Sequence, residues 1–370
     1  MPEENSGLLA LSVTADCNLR CSYCYACGGE EKTMMSWPIA KRAIDVMAEC
    51  FPAFKVQFTG GEPLLNLDLI ERAVNYLDDL GLSSPCQIQT NATLVTADVA
   101  GRLKGLKLGI GVSLDGPASV NDALRPFSDG HGSTASALRG ILALRDEGIL
   151  VGATTVLTQS NAGALNCLVD LFSYLGNIDG VAIDFVRPVG RAGPSIQPDP
   201  AQAAECIEAA ICRAEHLYAI GARGIKFREL ERMKRTIDSG KKRQHHCYFD
   251  SCRSLVVLAD GNSYVCPSLL RSQMMLGRVE AQHFADGLMD KMVEARCLVA
   301  SPPECSVCPD RWLCGGPCLA HYLTGNNLAI ECSVKRVFMR HARSQLSRPE
   351  GRGLPLRKKS RGLRVADSSC

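Results

Sequence analysis

The chain has 370 residues, 46% of them hydrophobic, enough to bury a large core in one large domain or two. A formal net charge of +2 supplies no global field for nucleic acid or an anionic membrane, and no apolar run reaches the length of a membrane span. Aromatics make up only 5% while glycines number 33, which suits an α/β protein with many tight turns better than a β-sandwich. With no charged-then-apolar leader, the sequence reads as soluble and cytoplasmic.

Up to about residue 190, short β-rich runs alternate with amphipathic stretches. Strands are expected at 8–14, 55–59, 87–91, 107–114, 151–157 and 180–186, and helices at 38–50, 67–80, 96–103, 134–147 and 162–174. Repeated β–α alternation implies a parallel sheet with helices outside, barrel-like or doubly wound. Functional residues should then lie at the C-terminal ends of the strands. Residues 188–200, rich in Pro and Gly, read as a connector, and 201–240 as helical. From 247 to about 335 cysteines and short β pieces such as 254–259 replace the earlier rhythm. Residues 343–370 carry eight Lys/Arg against two acids and read as a disordered basic tail.

Nineteen cysteines in a leaderless chain point to metal or redox sites rather than disulfides. They fall in two groups, three within 17–24 and nine within 247–332. Cys17, Cys21 and Cys24 form C-x3-C-x2-C with Tyr23 before the third. Three thiolates on a short loop can hold three irons of a cubane cluster and leave the fourth open. The pattern is poor for zinc, which favours ligand pairs at C-x2-4-C spacing. Cys27 extends the run and could close the cluster as a fourth ligand; the preferred reading leaves it a free thiol. Gly60-Gly61-Glu62-Pro63 ends the second expected strand, and its two glycines allow close backbone approach to a ligand. The C-terminal array is Cys247-x4-Cys252, Cys266, then Cys305-x2-Cys308-x5-Cys314-x3-Cys318, and Cys332. Without Cys297 these eight give four ligands for each of two clusters, or a pair of zinc sites.

Together the cysteine loop and the Gly-Gly-Glu motif resemble the radical S-adenosylmethionine (SAM) superfamily, and the C-terminal array resembles its SPASM domain. The resemblance covers residues 8–335. It implies a partial (β/α)6 TIM-like barrel core at 1–200, a helical linker at 201–246, a small cysteine-rich SPASM domain at 247–335 and a basic tail at 336–370. It implies three [4Fe–4S] clusters: one on Cys17, Cys21 and Cys24 with SAM on its open iron, one on Cys247, Cys252, Cys266 and Cys318, and one on Cys305, Cys308, Cys314 and Cys332. One electron then cleaves SAM to a 5′-deoxyadenosyl radical that abstracts a substrate hydrogen. The SAM pocket would take Tyr23 near adenine, Gly60, Gly61 and Glu62 near the methionine amino group, and Asn91 and Ser113 on ribose or carboxylate. Arg125 would meet the carboxylate, and Leu157 would touch adenine. Asn91 and Ser113 could instead be helix caps, and Arg125 an ion-pair partner.

Enzymes with this array mostly modify peptides or proteins, so a ribosomally made peptide is the leading substrate class, with fully ligated auxiliary clusters relaying an electron. Partners implied are the peptide or protein substrate, a flavodoxin- or ferredoxin-type reductant and a separate leader-peptide-binding protein, since 16 residues before Cys17 leave no room for a leader-gripping module. Neither membrane nor nucleic acid is expected as a partner. Sulfatase-maturing members carry an Asp base directly after the cysteine matching Cys266; Pro267 stands here, which argues against formylglycine formation. Asp115, Asp184 and Glu229 are the acids left as candidates, and His245 and His246 could support a cluster. A small-molecule radical SAM dehydrogenase and a non-catalytic iron–sulfur or zinc scaffold are the alternative readings.

Overall fold

A computed structural model describes residues 6–325 and 328–346 of the chain. Its strands are β1 Ser6–Ser12, β2 Ala53–Thr59, β3 Cys86–Thr90, β4 Gly109–Ser113, β5 Val151–Leu157, β6 Ile178–Phe185, β7 Lys226–Phe227, β8 Ser254–Val257, β9 Asn262–Tyr264 and β10 Met275–Arg278. The helices that cover them are α1 Trp37–Cys50, α2 Leu67–Asp79, α3 Ala97–Gly105, α4 Ala118–Leu124, α5 Thr134–Asp146, α6 Leu165–Leu175, α7 Pro200–Ala219 and α8 Arg228–Ser239. Shorter helices follow, α9 Leu288–Cys297, α10 Pro303–Ser306, α11 Arg311–Cys314 and α12 Leu319–Gly325, before the long α13 Leu328–Leu346.

All ten strands share one sheet in the order β10-β9-β8-β1-β2-β3-β4-β5-β6-β7. β1 to β7 run parallel, as the alternation predicts, and their sheet is consistent with the partial (β/α)6 barrel that the resemblance implies. Strand alternation divides the residues between two faces. Leu9, Leu11, Val56, Phe58, Ile88, Ile110 and Val112 are buried in the main core with the helices. On α2, buried Leu67, Ile70, Val74 and Leu77 recur at spacings of three and four, which places them on one stripe. Each such buried aliphatic or aromatic side chain contributes roughly 1.5–3 kcal/mol. Helix starts follow from local chemistry. The Thr96 hydroxyl accepts from Val99 N at 3.3 Å ahead of α3, and the Asp199 carboxylate accepts from Ala201 N and Gln202 N at 2.8 and 3.1 Å ahead of α7.

The structure departs from the expectations in four places. A helix, α4, occupies residues to which no element was assigned; Pro117 stands at its N-cap position. The segment read as a helical linker contains a strand, β7, hydrogen-bonded to β6. Its two residues are too few to carry a periodic signal. The cysteine-rich region does not stand apart from the core: β8 lies parallel against β1, pairing Leu9 with Leu255 and Leu11 with Val257. The basic tail is also shorter than expected. α13 runs through 336–346, because Val334, Val337, Phe338 and Ala342 bury a continuous apolar stripe. Residues 347–370, including Cys370, lie outside the described residues. No helix among the described residues is long and apolar enough to cross a membrane.

Candidate functional site

A cavity of about 180 Å³ lies at the C-terminal ends of the central strands, where parallel βα folds place their sites. The loop after β1 brings Cys17, Cys21, Tyr23 and Cys24 to it. The turn after β2 brings Gly60, Gly61 and Glu62, the end of β3 Asn91, β4 Ser113, and the turn after α4 Arg125.

The two leading motifs are zipped together through their backbones. Gly61 N donates to Thr14 O and Glu62 N to Asp16 O, each at 2.8 Å. Neither glycine has room for a side chain. A Cβ on Gly61 would stand 2.0 Å from Asp16 O, and one on Gly60 2.3 Å from Thr14 O; Gly60 also holds φ +145. Two arginines clamp the cysteine loop from outside. Arg20 donates to Cys17 O at 2.6 Å and Gly29 O at 2.8 Å; Arg191 donates to Gly28 O at 2.6 Å. Burial pushes the Cys17 thiol up to about 12, with Glu62, Cys21 and Cys24 adding to the rise against the Leu19 N–H. Burial also raises Cys21. Thiols in such surroundings stay protonated until a cationic centre compensates the charge. Cys27 sits at φ +49, and its side chain is not part of the cavity wall.

Glu62 is 1% exposed and both its oxygens are engaged. Oε1 accepts from Leu64 N at 3.1 Å and Thr90 Oγ1 at 2.6 Å, while Oε2 accepts from Asn91 N at 2.8 Å. Burial raises its pKa against those hydrogen bonds. Asn91 closes a local turn, accepting from Thr93 N at 2.9 Å and donating to Asn18 Oδ1 at 2.9 Å. Ser113 accepts from Gln89 Nε2 at 2.9 Å. Arg125 donates to the Tyr23 hydroxyl at 2.5 Å, and that hydroxyl donates to Asp115 Oδ2. Asp115 also accepts from Val156 N at 2.8 Å, so this buried acid braces the pocket wall from behind. These groups line or support the cavity, and their polar atoms already have partners within the chain.

One pocket residue is displaced by a single position. Leu157 is fully buried in the main core, and its neighbour Val156 lines the cavity. Strand period two decides this: the expectation took the last residue of the strand, which points to the opposite face. Gln89, Asp184, Arg187 and Arg191 line the cavity without having been assigned to it. Gln89 stands two residues before Asn91 and so shares its face, a signal that the sequence does carry. Arg191 lies in the stretch read as a connector, and Arg187 just ahead of it, after the expected strand. Asp184 was one of three acids considered as a base, and only it lines the cavity. Its neighbours are Arg187 at 3.5 Å and His321 Nε2 at 3.6 Å. Glu229 lies elsewhere, paired with Arg243 at 2.5 Å.

Seven of the eight C-terminal cysteines fall in two sets of neighbours, Cys247, Cys266 and Cys318 in one and Cys305, Cys308, Cys314 and Cys332 in the other, and Cys252 stands with neither. Burial raises Cys247 to about 12 and Cys266 to about 11, and the nearby Cys318 thiol raises both further. Burial opposes ionisation of Cys318, but His321 beside it holds its thiol below the ordinary value. Cys318 therefore stands with Cys247 and Cys266. Cys252, half-buried at φ +57, has Arg296, Asp250 and Cys297 as its neighbours. In the second group burial raises Cys305, assisted by Cys314 and Cys308, and Cys332 to about 11, assisted by Cys314 and Cys305. His246 Nδ1 lies 2.9 Å from Gly316 O, two residues before Cys318, while His245 is exposed.

The donor chemistry fits iron–sulfur clusters. Each group offers thiols in tight turns, with no disulfide among the described cysteines, and the first offers three beside a cavity whose wall contains no histidine.

Comparison with known proteins defines the class. The Radical SAM superfamily model matches residues 11–161. An uncharacterized protein of Methanocaldococcus jannaschii is 34% identical over 263 residues, which span 70% of this chain and 85% of that one. The chain belongs to the radical SAM superfamily, and it is an enzyme of that superfamily, whose members use a [4Fe–4S] cluster and SAM. The mycofactocin maturase MftC of Mycobacterium tuberculosis is 26% identical, with 97% of this chain and 89% of that one covered. The solved anSMEcpe with bound AdoMet and a peptide shares the fold at TM-score 0.76 and 20% identity, covering 92% of this chain and 98% of that one. The chain spans 41% and 49% of the length of two further relatives, the Fe-coproporphyrin III synthase of Methanosarcina barkeri and the AdoMet-dependent heme synthase of Nitratidesulfovibrio vulgaris.

Proposed function

We propose that this chain modifies a ribosomally made peptide or protein by radical chemistry, with three [4Fe–4S] clusters, one binding SAM and two auxiliary. The observation that carries the reading is the pairing of one thiol triad at the cavity with two further thiol groups outside its wall. When bound, a cluster and SAM supply one-electron cleavage of a carbon–sulfur bond and a radical that abstracts hydrogen. The protein's part is to hold and shield. Cys17, Cys21 and Cys24 present thiolates from a loop fixed by Arg20 and Arg191. Gly60 and Gly61 leave backbone close to the ligand space. Tyr23, Asn91, Ser113 and Arg125 form its walls. Asp184 is the cavity carboxylate with acceptor capacity left for a substrate N–H or O–H.

Cys247, Cys252, Cys266 and Cys318 would hold the first auxiliary cluster, and Cys305, Cys308, Cys314 and Cys332 the second. Resemblance to MftC over nearly the whole chain supports the peptide reading, together with the peptide-bound relative of the same fold. A small-molecule substrate is the second reading, favoured by the 33% and 34% identity to the porphyrin- and heme-forming relatives. Anaerobic reconstitution tests both. About twelve irons per chain are expected, the sum of three four-iron clusters, with 5′-deoxyadenosine released on addition of reductant and SAM. Mass change in a peptide encoded beside this gene supports the first reading. Iron near four per chain, or zinc in its place, sinks the auxiliary-cluster assignment. A flavodoxin- or ferredoxin-type protein is the expected electron donor, and a separate leader-binding protein an expected partner.

A further inference from the structure

We propose that Glu208, Cys212 and His341 form a transition-metal site that clamps α7 to α13, separate from the cluster cysteines. One ligand atom from each side chain lies within 4.8 Å of the other two. Glu208, Cys212 and Glu215 are spaced four and three residues apart, so they share one face of α7. His341 meets that face from α13. Its Nε2 is 2.6 Å from Glu208 Oε1, and its Nδ1 is 3.5 Å from Glu215 Oε1.

The donor set selects the ion. Sulfur, nitrogen and oxygen together suit a borderline ion such as Zn²⁺, whereas Mg²⁺ and Ca²⁺ take oxygen ligands. Each neighbour has a definable part. Arg340 holds the outer oxygen of Glu208, Oε2, at 2.6 Å, which leaves Oε1 turned toward the imidazole. With an ion bound, Glu215 would accept from Nδ1–H and leave the Nε2 lone pair to the metal, the carboxylate–histidine–metal arrangement of many zinc sites. Burial and then the two glutamates keep the Cys212 thiol protonated in the absence of a cation. A divalent ion would displace that proton and the one shared between Nε2 and Glu208, so binding releases protons and tightens as pH rises. Three protein ligands leave a fourth position for water. The clamp would also steady α13 above Cys332, nine residues earlier on the same helix.

The test uses reconstituted full-length enzyme, freed of loosely held metal and titrated with Zn²⁺ by calorimetry. One ion per chain is expected. Affinity should fall at least tenfold in Cys212→Ser and His341→Gln, and about tenfold in Glu215→Gln, the size typical of an outer-shell partner. A second measurement needs no variant: Zn²⁺ should slow alkylation of Cys212 and leave Cys167, which is also exposed, unchanged. Equal zinc affinity in wild type and variants, or alkylation of Cys212 indifferent to Zn²⁺, would overturn the proposal and leave a histidine–glutamate ion pair. Iron content, measured alongside, reports on the cluster assignments and not on this site.

Discussion

Gly61 has no room for a side chain. A methyl group there would meet the Asp16 carbonyl at 2.0 Å, in the backbone just before Cys17. Gly61→Ala should therefore push the cysteine loop away from β2 while the C-terminal cysteines, which are carried by other elements, keep their positions. The expected result is loss of about four irons per chain, one cluster's complement, and at least a hundredfold drop in 5′-deoxyadenosine release. Retention of full iron and activity would show that the two loops can separate without cost. Asp184→Asn offers a contrast. It preserves shape and removes charge, so SAM cleavage without substrate should persist while substrate turnover falls at least tenfold; unchanged turnover would remove Asp184 from the substrate's surroundings. At this scale the sequence was informative where a motif dictates geometry. Cys17, Cys21, Cys24, Gly60, Gly61 and Glu62 all reach one cavity. It failed at Leu157, where a one-residue choice of strand phase reverses the face, and at Arg187 and Arg191, whose stretch has no periodicity to place it.

Among the elements, α13 carries the largest correction. Its sequence after 343 is basic and low in apolar content, which hides the fact that the preceding turns bury Val334, Val337, Phe338 and Ala342. Phe338 packs its ring 6.0 Å from that of Phe227 in β7. Phe338→Ala should cost about 3–5 kcal/mol by loss of buried area plus a residual cavity. Chemical denaturation would show this as a lower midpoint with an unchanged slope. Apart from α4, the strands and helices up to residue 190 were readable because each couples a clear period to a clear stop. β7 was not, since two residues hold no period, and its place follows from pairing with β6 instead. Why β8 chooses the edge of β1 was equally hidden: the four residues Ser254–Val257 are all buried, so their pattern names no partner.

For the whole molecule, the charged interior between the sheet and the second cysteine group sets a pH limit. Burial opposes the charge on Glu229, but Arg243, Lys335 and Arg232 hold its carboxyl down to about 2. A depressed folded-state pKa stabilises the protein above the unfolded value, about 4.5, and that contribution disappears as pH falls toward 2. Converting the shift gives about 3 kcal/mol. Glu229→Gln should lower the melting temperature at neutral pH and flatten its acid-side decline between about pH 5 and 2, relative to wild type. Identical acid limbs would assign the decline to other carboxylates.

The pairing of β8 with β1 also has a consequence in time. During synthesis β1 emerges first and gains β2 soon afterwards, but its other edge has no partner until Ser254–Val257 leaves the ribosome. For some 240 residues of translation, a long interval at about 5–20 residues per second, a strand containing Leu8, Leu9, Ala10 and Leu11 offers an open row of backbone donors and acceptors. Such an edge recruits other nascent chains. Fragments ending before residue 254 should therefore associate on the polysome or in the cell, and holdase chaperones should engage this protein early and release it only once residues 254–257 are made.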